Sequence, residues 1–259
     1  MSFLASLLSR PPKTVEDKYF VAPDIGPFEF PNDGDLAATM MRDYNFNGDL
    51  LDILINNKTN IVHKWHHYIP LYDRYLSKYR GTPVKFLEIG VSLGGSLQMW
   101  RKYFGDDAVI FGIDIDPNCM QFDGQSAQVR IGSQNDPDFL MAVVEEMGGV
   151  DVVLDDGSHM MPDIKSSLDT LFPLLSIDGH YVIEDLHTSY MQHFGGGYDV
   201  DDNFYNMVRD MIDDMHVWYH KQPLNCQMTQ QQVTGIHIHD SIVVLDKGKA
   251  IAPRHSQIS

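Results

Sequence analysis

Between Lys85 and Ile183 short apolar runs alternate with longer stretches of helical spacing, and this alternation constrains the fold more than any other feature of the chain. Lys85–Ile89, Val109–Ile113, Ala127–Ile131, Val150–Leu154 and Gly179–Ile183 read as strands. Gly94–Phe104, Asp136–Met147 and Pro162–Leu175 read as helices, and Asp116-Pro117 marks a turn after the second strand. Short apolar runs separated by helices imply parallel strands, joined by crossovers and buried on both faces. The prediction is a Rossmann-like, doubly wound α/β sheet. Further on, Asp202–His220 reads as a helix, and Gly235–His239 and Ile242–Leu245 flank Asp240-Ser241. So short a join forces an antiparallel hairpin. The expected sheet is therefore seven-stranded, mostly parallel, and finished by a C-terminal antiparallel hairpin.

Upstream, Leu50, Ile53, Leu54, Tyr68, Leu71, Tyr72 and Tyr75 recur at helical spacings between Leu36 and Tyr79, and Gly81-Thr82-Pro83 ends the pattern. Residues 11–35, rich in Pro, Gly and Asp, read as irregular. The expected organisation is a leader and helical cap over 1–80 and a ligand-binding domain over 81–259.

Composition narrows the chemistry. A formal charge of −17 repels phosphate backbones, so nucleic acid is not an expected partner. No apolar run reaches the roughly 18–20 residues that a membrane-spanning helix needs, so no membrane partner is expected. The apolar opening, Met1–Leu8, is short, lacks a basic start and runs into Arg10-Pro11-Pro12, which predicts a cytoplasmic protein. Cys119 and Cys226 form no pair motif, which excludes a disulfide scaffold and a cysteine-rich zinc site.

In an open α/β sheet, ligands bind beyond the carboxyl ends of the strands. The first strand ends in Glu88-Ile89-Gly90-Val91-Ser92-Leu93-Gly94-Gly95-Ser96, a glycine turn that lets a ligand approach a helix N-terminus. The second ends in Asp114-Ile115-Asp116, placed for ribose hydroxyls. The turn departs from G-x-G-x-x-G, and Glu88 suits a cationic aminopropyl group better than a pyrophosphate, so both favour S-adenosylmethionine over a dinucleotide. At the third strand's end Ser133 and Gln134 could meet an adenine edge, or could simply form a turn and a helix cap ahead of Asp136.

Two further strand ends are more informative. Leu154-Asp155-Asp156-Gly157-Ser158-His159 and Glu184-Asp185-Leu186-His187-Thr188-Ser189-Tyr190 both follow apolar strands, so their carboxylates emerge at one rim. Carboxylates gathered there repel each other unless protonated or bridged by a cation. Oxygen ligands without cysteine suit Mg²⁺, though Mn²⁺, Ca²⁺ or a monovalent cation would also fit. Asp156, Glu184 and Asp185 are the expected ligands, with Asp156 also catalytic, and His159 the expected general base. Asp155 is expected beside the methyl donor. His237 and His239 read as strand residues. His63, His66 and His67 either line the pocket or pack on the sheet, and Phe194-Gly195-Gly196-Gly197-Tyr198 could form a lid.

The runs FLEIGVSLGGSL, GIDIDP, LDDGSH and EDLHTSY, within 60–197, resemble the metal-dependent sugar O-methyltransferases of macrolide biosynthesis, of the mycinamicin type. They also resemble the cephalosporin-hydroxylase-like and rhamnosyl O-methyltransferase group. The resemblance implies a class I methyltransferase fold, a metal on Asp156, Glu184 and Asp185, a base at His159, and donor contacts at Glu88, Gly90 and Asp114. Ser92, Gly94, Asp116, Ser133, Gln134 and Asp155 complete the expected donor site. A homo-oligomer and a small-molecule hydroxyl acceptor (a sugar, a catechol or another natural product) are also expected. Macrolide enzymes of this type carry an additional N-terminal domain where this chain has about eighty residues before the first strand. The acceptor pocket and oligomer interface are therefore expected to differ. Three other readings compete. An NAD-dependent oxidoreductase leaves the Glu184-Asp185 pair unused, an iron-dependent hydroxylase leaves the glycine turn idle, and a non-catalytic donor-binding partner has no use for His159.

Overall fold

The computed structural model describes residues 35–198, 200–221 and 232–258. Helices α1 (Leu36–Tyr44) and α2 (Asp49–Ile55) are followed by an irregular stretch over 57–65. A 3₁₀ turn, His66–Tyr68, then leads into α3 (Ile69–Leu76). The predicted helical region is thus interrupted: its apolar periodicity holds within each helix, and the polar run Asn56-Asn57-Lys58-Thr59-Asn60 breaks it.

From there strand and helix alternate as expected. β1 (Lys85–Ile89), α4 (Gly95–Phe104), β2 (Val109–Asp114), β3 (Gln128–Ile131), α5 (Pro137–Met147), β4 (Val150–Asp155), α6 (Met161–Leu171) and β5 (Leu175–Ile183) come in sequence. β2 and β3 are joined by the 3₁₀ segment Pro117–Phe122. α6 stops four residues short of the predicted end at Leu175, because Pro173 follows closely and Phe172–Leu174 tightens to 3₁₀. α7 (Phe204–Met215) is capped by Asn203, whose side chain accepts from the Tyr205 N–H. The hairpin β6 (Val233–His239) and β7 (Ile242–Lys247) closes the sheet.

The strand order is β3-β2-β1-β4-β5-β7-β6, with β7 antiparallel to both of its neighbours. The order reverses between β1 and β4, which is where such sheets open a ligand crevice. One face of the sheet packs α5, α6 and α7 around Leu87, Ile89, Val153, Tyr181 and Ile183. The other packs α1 to α4 around Phe86, Val152, Leu154 and Val182. Side chains alternate between these faces along each strand. Glu88, Asp156 and Glu184 therefore fall on the α3–α4 side, and Asp155 on the α5–α6 side. Among the described residues, no helix is long and apolar enough to cross a membrane.

Candidate active site

Two clefts open at the carboxyl ends of the strands. The first, about 600 Å³, is lined by Gly90, Ser92, Asp114, Ser133, Gln134, Asp156 and Gly157 among others. It lies across the β1/β4 switch point. Its floor depends on glycine. Gly90 has φ +97°, and a Cβ there would overlap the carbonyl oxygen of Asp156. Asp114 locks the turn: one carboxylate oxygen accepts from the Val91 and Ser92 N–H groups, each at 2.9 Å, and the other from Asp116 N at 2.9 Å. Burial pushes this carboxyl up, but these backbone donors outweigh it and hold the group below the usual range. Gln134 is buried and bridges strand ends, accepting from Ser158 N at 2.7 Å and donating to Asp155 Oδ1 at 3.2 Å. Ser133 lines the cleft and accepts from Asn135 N.

Four expected donor contacts sit elsewhere. Asp155 points into the core, where it accepts from Ser167 Oγ at 2.6 Å and Tyr181 OH at 3.4 Å. Strand alternation sends neighbouring Asp155 and Asp156 to opposite faces, so only Asp156 reaches the cleft. Burial pushes the Asp155 carboxyl up to about 6. Glu88 is also fully buried, beneath the clefts, and accepts from Ser96 Oγ at 2.8 Å and Trp100 Nε1 at 3.2 Å. Burial pushes it up to about 7, against the opposing pull of Lys64. Asp116 is exposed and caps the following 3₁₀ turn through Asn118 N. Gly94, with φ +72°, is the left-handed N-cap of α4 and packs against the Phe122 ring.

The second cleft, about 800 Å³, shares Gly90, Ser92, Asp156 and Gly157 with the first, and adds Lys64, Trp65, His159, Glu184 and Asp185. Here the ligand atoms of Asp156, His159 and Asp185 lie within 4.8 Å of one another. His159 Nε2 stands 3.7 Å from Asp185 Oδ2. Both residues hold a left-handed backbone, φ +59° and +54°, a conformation that bulky side chains adopt at some cost. Asp185 is fixed by Trp65 Nε1 at 3.0 Å and Tyr68 OH at 2.9 Å. Glu184 is turned differently from the expected metal triad. It accepts from Tyr72 OH and from Lys64 Nζ, at 3.1 Å to each carboxylate oxygen. Burial, then the charge of Asp156, hold its carboxyl well above the usual range.

Lys64 has no counterpart in the expected site. Its side chain is 2% exposed, and its ammonium lies 2.5 Å from Asp156 Oδ2 and 4.0 Å from Glu88 Oε1. Burial opposes its charge, but the surrounding carboxylates outweigh burial and keep it protonated. Glu88, Asp156 and Glu184 thus face one lysine ammonium. The donor set, all oxygen apart from the His159 imidazole, fits a hard divalent cation. Lys64, Trp65, Tyr68 and Tyr72 escaped the sequence reading as site residues. They come from an irregular stretch, a 3₁₀ turn and a helix with no motif, and only the chain's return across β1, β4 and β5 brings them there.

The remaining histidines find other partners. His63 lines the second cleft, and His67 Nε2 lies 3.1 Å from the Asp240 carbonyl oxygen. His237 pairs with Asp246 at 2.8 Å and His239 with Tyr75 OH at 2.8 Å, as strand residues facing α3. The glycine loop folds back, with Gly197 N donating to the Ser189 carbonyl at 2.8 Å, and places the Phe194 ring 6.4 Å from His159. Cys226 lies outside the described residues.

No family model matches the chain. Among curated proteins, it is 34% identical over 214 residues to 8-demethyl-8-(2-methoxy-alpha-L-rhamnosyl)-tetracenomycin-C 3'-O-methyltransferase of Streptomyces olivaceus, covering 78% of this chain and 54% of that protein. It is 32% identical over 198 residues to mycinamicin VI 2''-O-methyltransferase of Micromonospora griseorubida, covering 71% and 49%. The chain spans about half the length of the curated relatives it matches. Among solved structures, the methyltransferase MycE of the mycinamycin pathway, in complex with Mg and SAH, aligns with a TM-score of 0.71 at 30% identity, covering 79% of this chain and 56% of that one. The sheet order, the glycine turn and these matches agree: the chain is a homologue of the macrolide- and tetracenomycin-sugar O-methyltransferases, with the class I methyltransferase fold.

Proposed function

We propose that the chain is a metal-dependent O-methyltransferase that moves the methyl group of S-adenosylmethionine to a hydroxyl of a sugar or another small natural-product acceptor. The observation that carries this reading is the common wall of the two clefts. Gly90, Ser92, Asp156 and Gly157 line both, so a donor in one would meet an acceptor in the other over the β1 and β4 ends. The matched relatives are named as O-methyltransferases of a rhamnosyl-tetracenomycin and of mycinamicin VI, and the solved neighbour carries Mg and SAH, which supports the same donor and ion here.

The residues divide the work. Gly90 opens the turn to the donor, and Asp114 holds that turn while keeping lone pairs for ribose hydroxyls. Ser133 and Gln134 stand where an adenine edge would lie. Asp156 and Asp185, with Glu184 once it is released from Lys64, would hold the cation. When bound, such an ion lowers the pKa of a coordinated hydroxyl and so favours its attack on the methyl carbon. His159 receives the acceptor proton at Nε2, the ring nitrogen turned toward Asp185. Tyr68 keeps Asp185 from rotating away. The first cleft would hold the demethylated donor until its release.

The test combines calorimetry with S-adenosylmethionine and turnover on a panel of glycosylated and catechol acceptors, with Mg²⁺ or with excess chelator. Expected are donor binding, Mg²⁺-dependent product and loss of turnover in chelator that added Mg²⁺ restores. Full turnover in excess chelator, or no donor binding, overturns the proposal.

A further inference from the structure

The irregular stretch 57–65 carries a cation into the acidic cluster. Its backbone lies directly on the first turn of α4: a Cβ on Gly95 would overlap the carbonyl group of Ile61. Asn57 Nδ2 donates to the Asn60 carbonyl at 2.9 Å, and Lys102 Nζ on α4 holds Asn57 Oδ1 at 3.2 Å. From this seat Lys64 reaches inward. Its ammonium lies 2.5 Å from Asp156 Oδ2 and 3.1 Å from both oxygens of Glu184. The next residue, Trp65, binds Asp185 through Nε1 at 3.0 Å. One short segment thus engages every carboxylate expected to hold a divalent ion.

A divalent ion shared by Asp156 and Glu184 would sit about 2.0–2.6 Å from their oxygens. The ammonium already occupies the space between those same oxygens. Two cations cannot share it: at so short a separation their repulsion far exceeds what a buried site screens. An ion held by Asp156, His159 and Asp185 instead would still compete for Asp156, whose Oδ2 accepts from the lysine.

We propose that Lys64 is a built-in competitor for the divalent ion, and that metal binding displaces it and lifts the 60–65 segment from its seat. The lysine keeps the carboxylates gathered and compensated before the ion arrives, and its displacement opens the acceptor side of the second cleft, which 61–65 lines. Metal occupancy and access to the cleft are then one event. This inference rests on the metal reading above.

The sign of a local change tests it. Bound ligands ordinarily protect the segments they touch from hydrogen exchange. Here, Mg²⁺ at saturation should slow exchange in 155–159 and 184–188 of the intact chain while accelerating it in 60–65. In parallel, Lys64→Met should bind Mg²⁺ at least tenfold tighter than the parent chain by calorimetry. Protection or no change in 60–65 with metal bound overturns the displacement. So does equal or weaker Mg²⁺ binding by a folded Lys64→Met chain. If that variant does not fold, the exchange experiment on the parent chain decides alone. If neither chain binds Mg²⁺, the metal reading fails and this inference falls with it. Binding by both with equal affinity sinks only the inference.

Discussion

Asp155 and Asp156 are adjacent in sequence and opposite in chemistry, and Asp155→Asn separates them. In the fold, burial raises the Asp155 carboxyl to about 6, although Ser167, Gln134 and Tyr181 donate to it. In the unfolded chain it titrates near 3.9. The folded state therefore holds this proton more tightly, so the group's stabilising contribution is complete below about pH 4 and is lost as pH rises through about 6. At about 1.4 kcal/mol per tenfold in proton affinity, the full loss is roughly 3 kcal/mol, most of it between pH 4 and pH 8. An asparagine does not titrate. Its amide keeps the shape and one acceptor but loses a hydrogen bond, which costs about 1 kcal/mol at every pH. Urea unfolding of both chains, followed by circular dichroism at pH 4, 6 and 8, measures the difference. The parent chain should be the more stable at pH 4 and the less stable at pH 8, with the gap changing by about 2–3 kcal/mol. A gap independent of pH would refute the assignment of a strained buried carboxylate. The same variant should bind S-adenosylmethionine and Mg²⁺ within about threefold of the parent, because its side chain faces the α5–α6 layer.

The remaining predictions concern the clefts. His159→Ala should lower turnover by about 10²–10⁴-fold with donor affinity nearly unchanged, as removal of a general base does; unchanged turnover by product assay removes it from that role. Gly90→Ala should abolish donor binding by calorimetry, since a side chain at φ +97° must also displace the Asp156 carbonyl. Retained affinity would mean that the turn can open elsewhere. Asp114→Ala leaves three backbone N–H groups without their acceptor, at about 1–3 kcal/mol of stability, and should weaken the donor at least tenfold. Because the Asp114 carboxyl is held low, its contribution is intact at neutral pH and is lost as pH falls through its folded value.

The parallel sheet was legible because its signal is local and repeated. A strand buried on both faces is mostly apolar, and each of β1 to β5 is bounded by turn or helix residues that the sequence displays. The hairpin was legible for a different reason: two residues cannot carry a parallel crossover. The rim was legible in part. Acidic pairs after β4 and β5 must emerge together once those strands are neighbours, and they do. Less accessible was the face each carboxylate takes. Alternation gives Asp155 and Asp156 opposite sides, but the sequence does not say which side opens to solvent, and the answer depends on the helices that cover each face. Glu88 illustrates the same point. It stands at the end of an apolar strand where a donor contact is reasonable, yet Ser96 and Trp100 of α4 take both of its oxygens beneath the floor of the clefts.

Lys64 was illegible for a stronger reason. Its partners lie 92 and 120 positions away, and nothing in Val62-His63-Lys64-Trp65 distinguishes a buried cation from a solvated one. Statistics of burial favour the surface for any lysine. What overrules them is charge: Asp156, Glu184 and Glu88 stand close enough to offset the cost of burying the ammonium. An acidic rim read from sequence therefore carries an implied second question, namely which cation balances it before its ligand arrives. In this chain the answer comes from a segment that the strand-by-strand reading passes over, seated on α4 by the absence of a side chain at Gly95. Replacing Gly95 with alanine would push Ile61 outward and draw Lys64 with it, so the carboxylates should then bind Mg²⁺ more tightly even though every charge is retained. Weaker Mg²⁺ binding by a folded Gly95→Ala chain would mean that the seat does not govern the lysine.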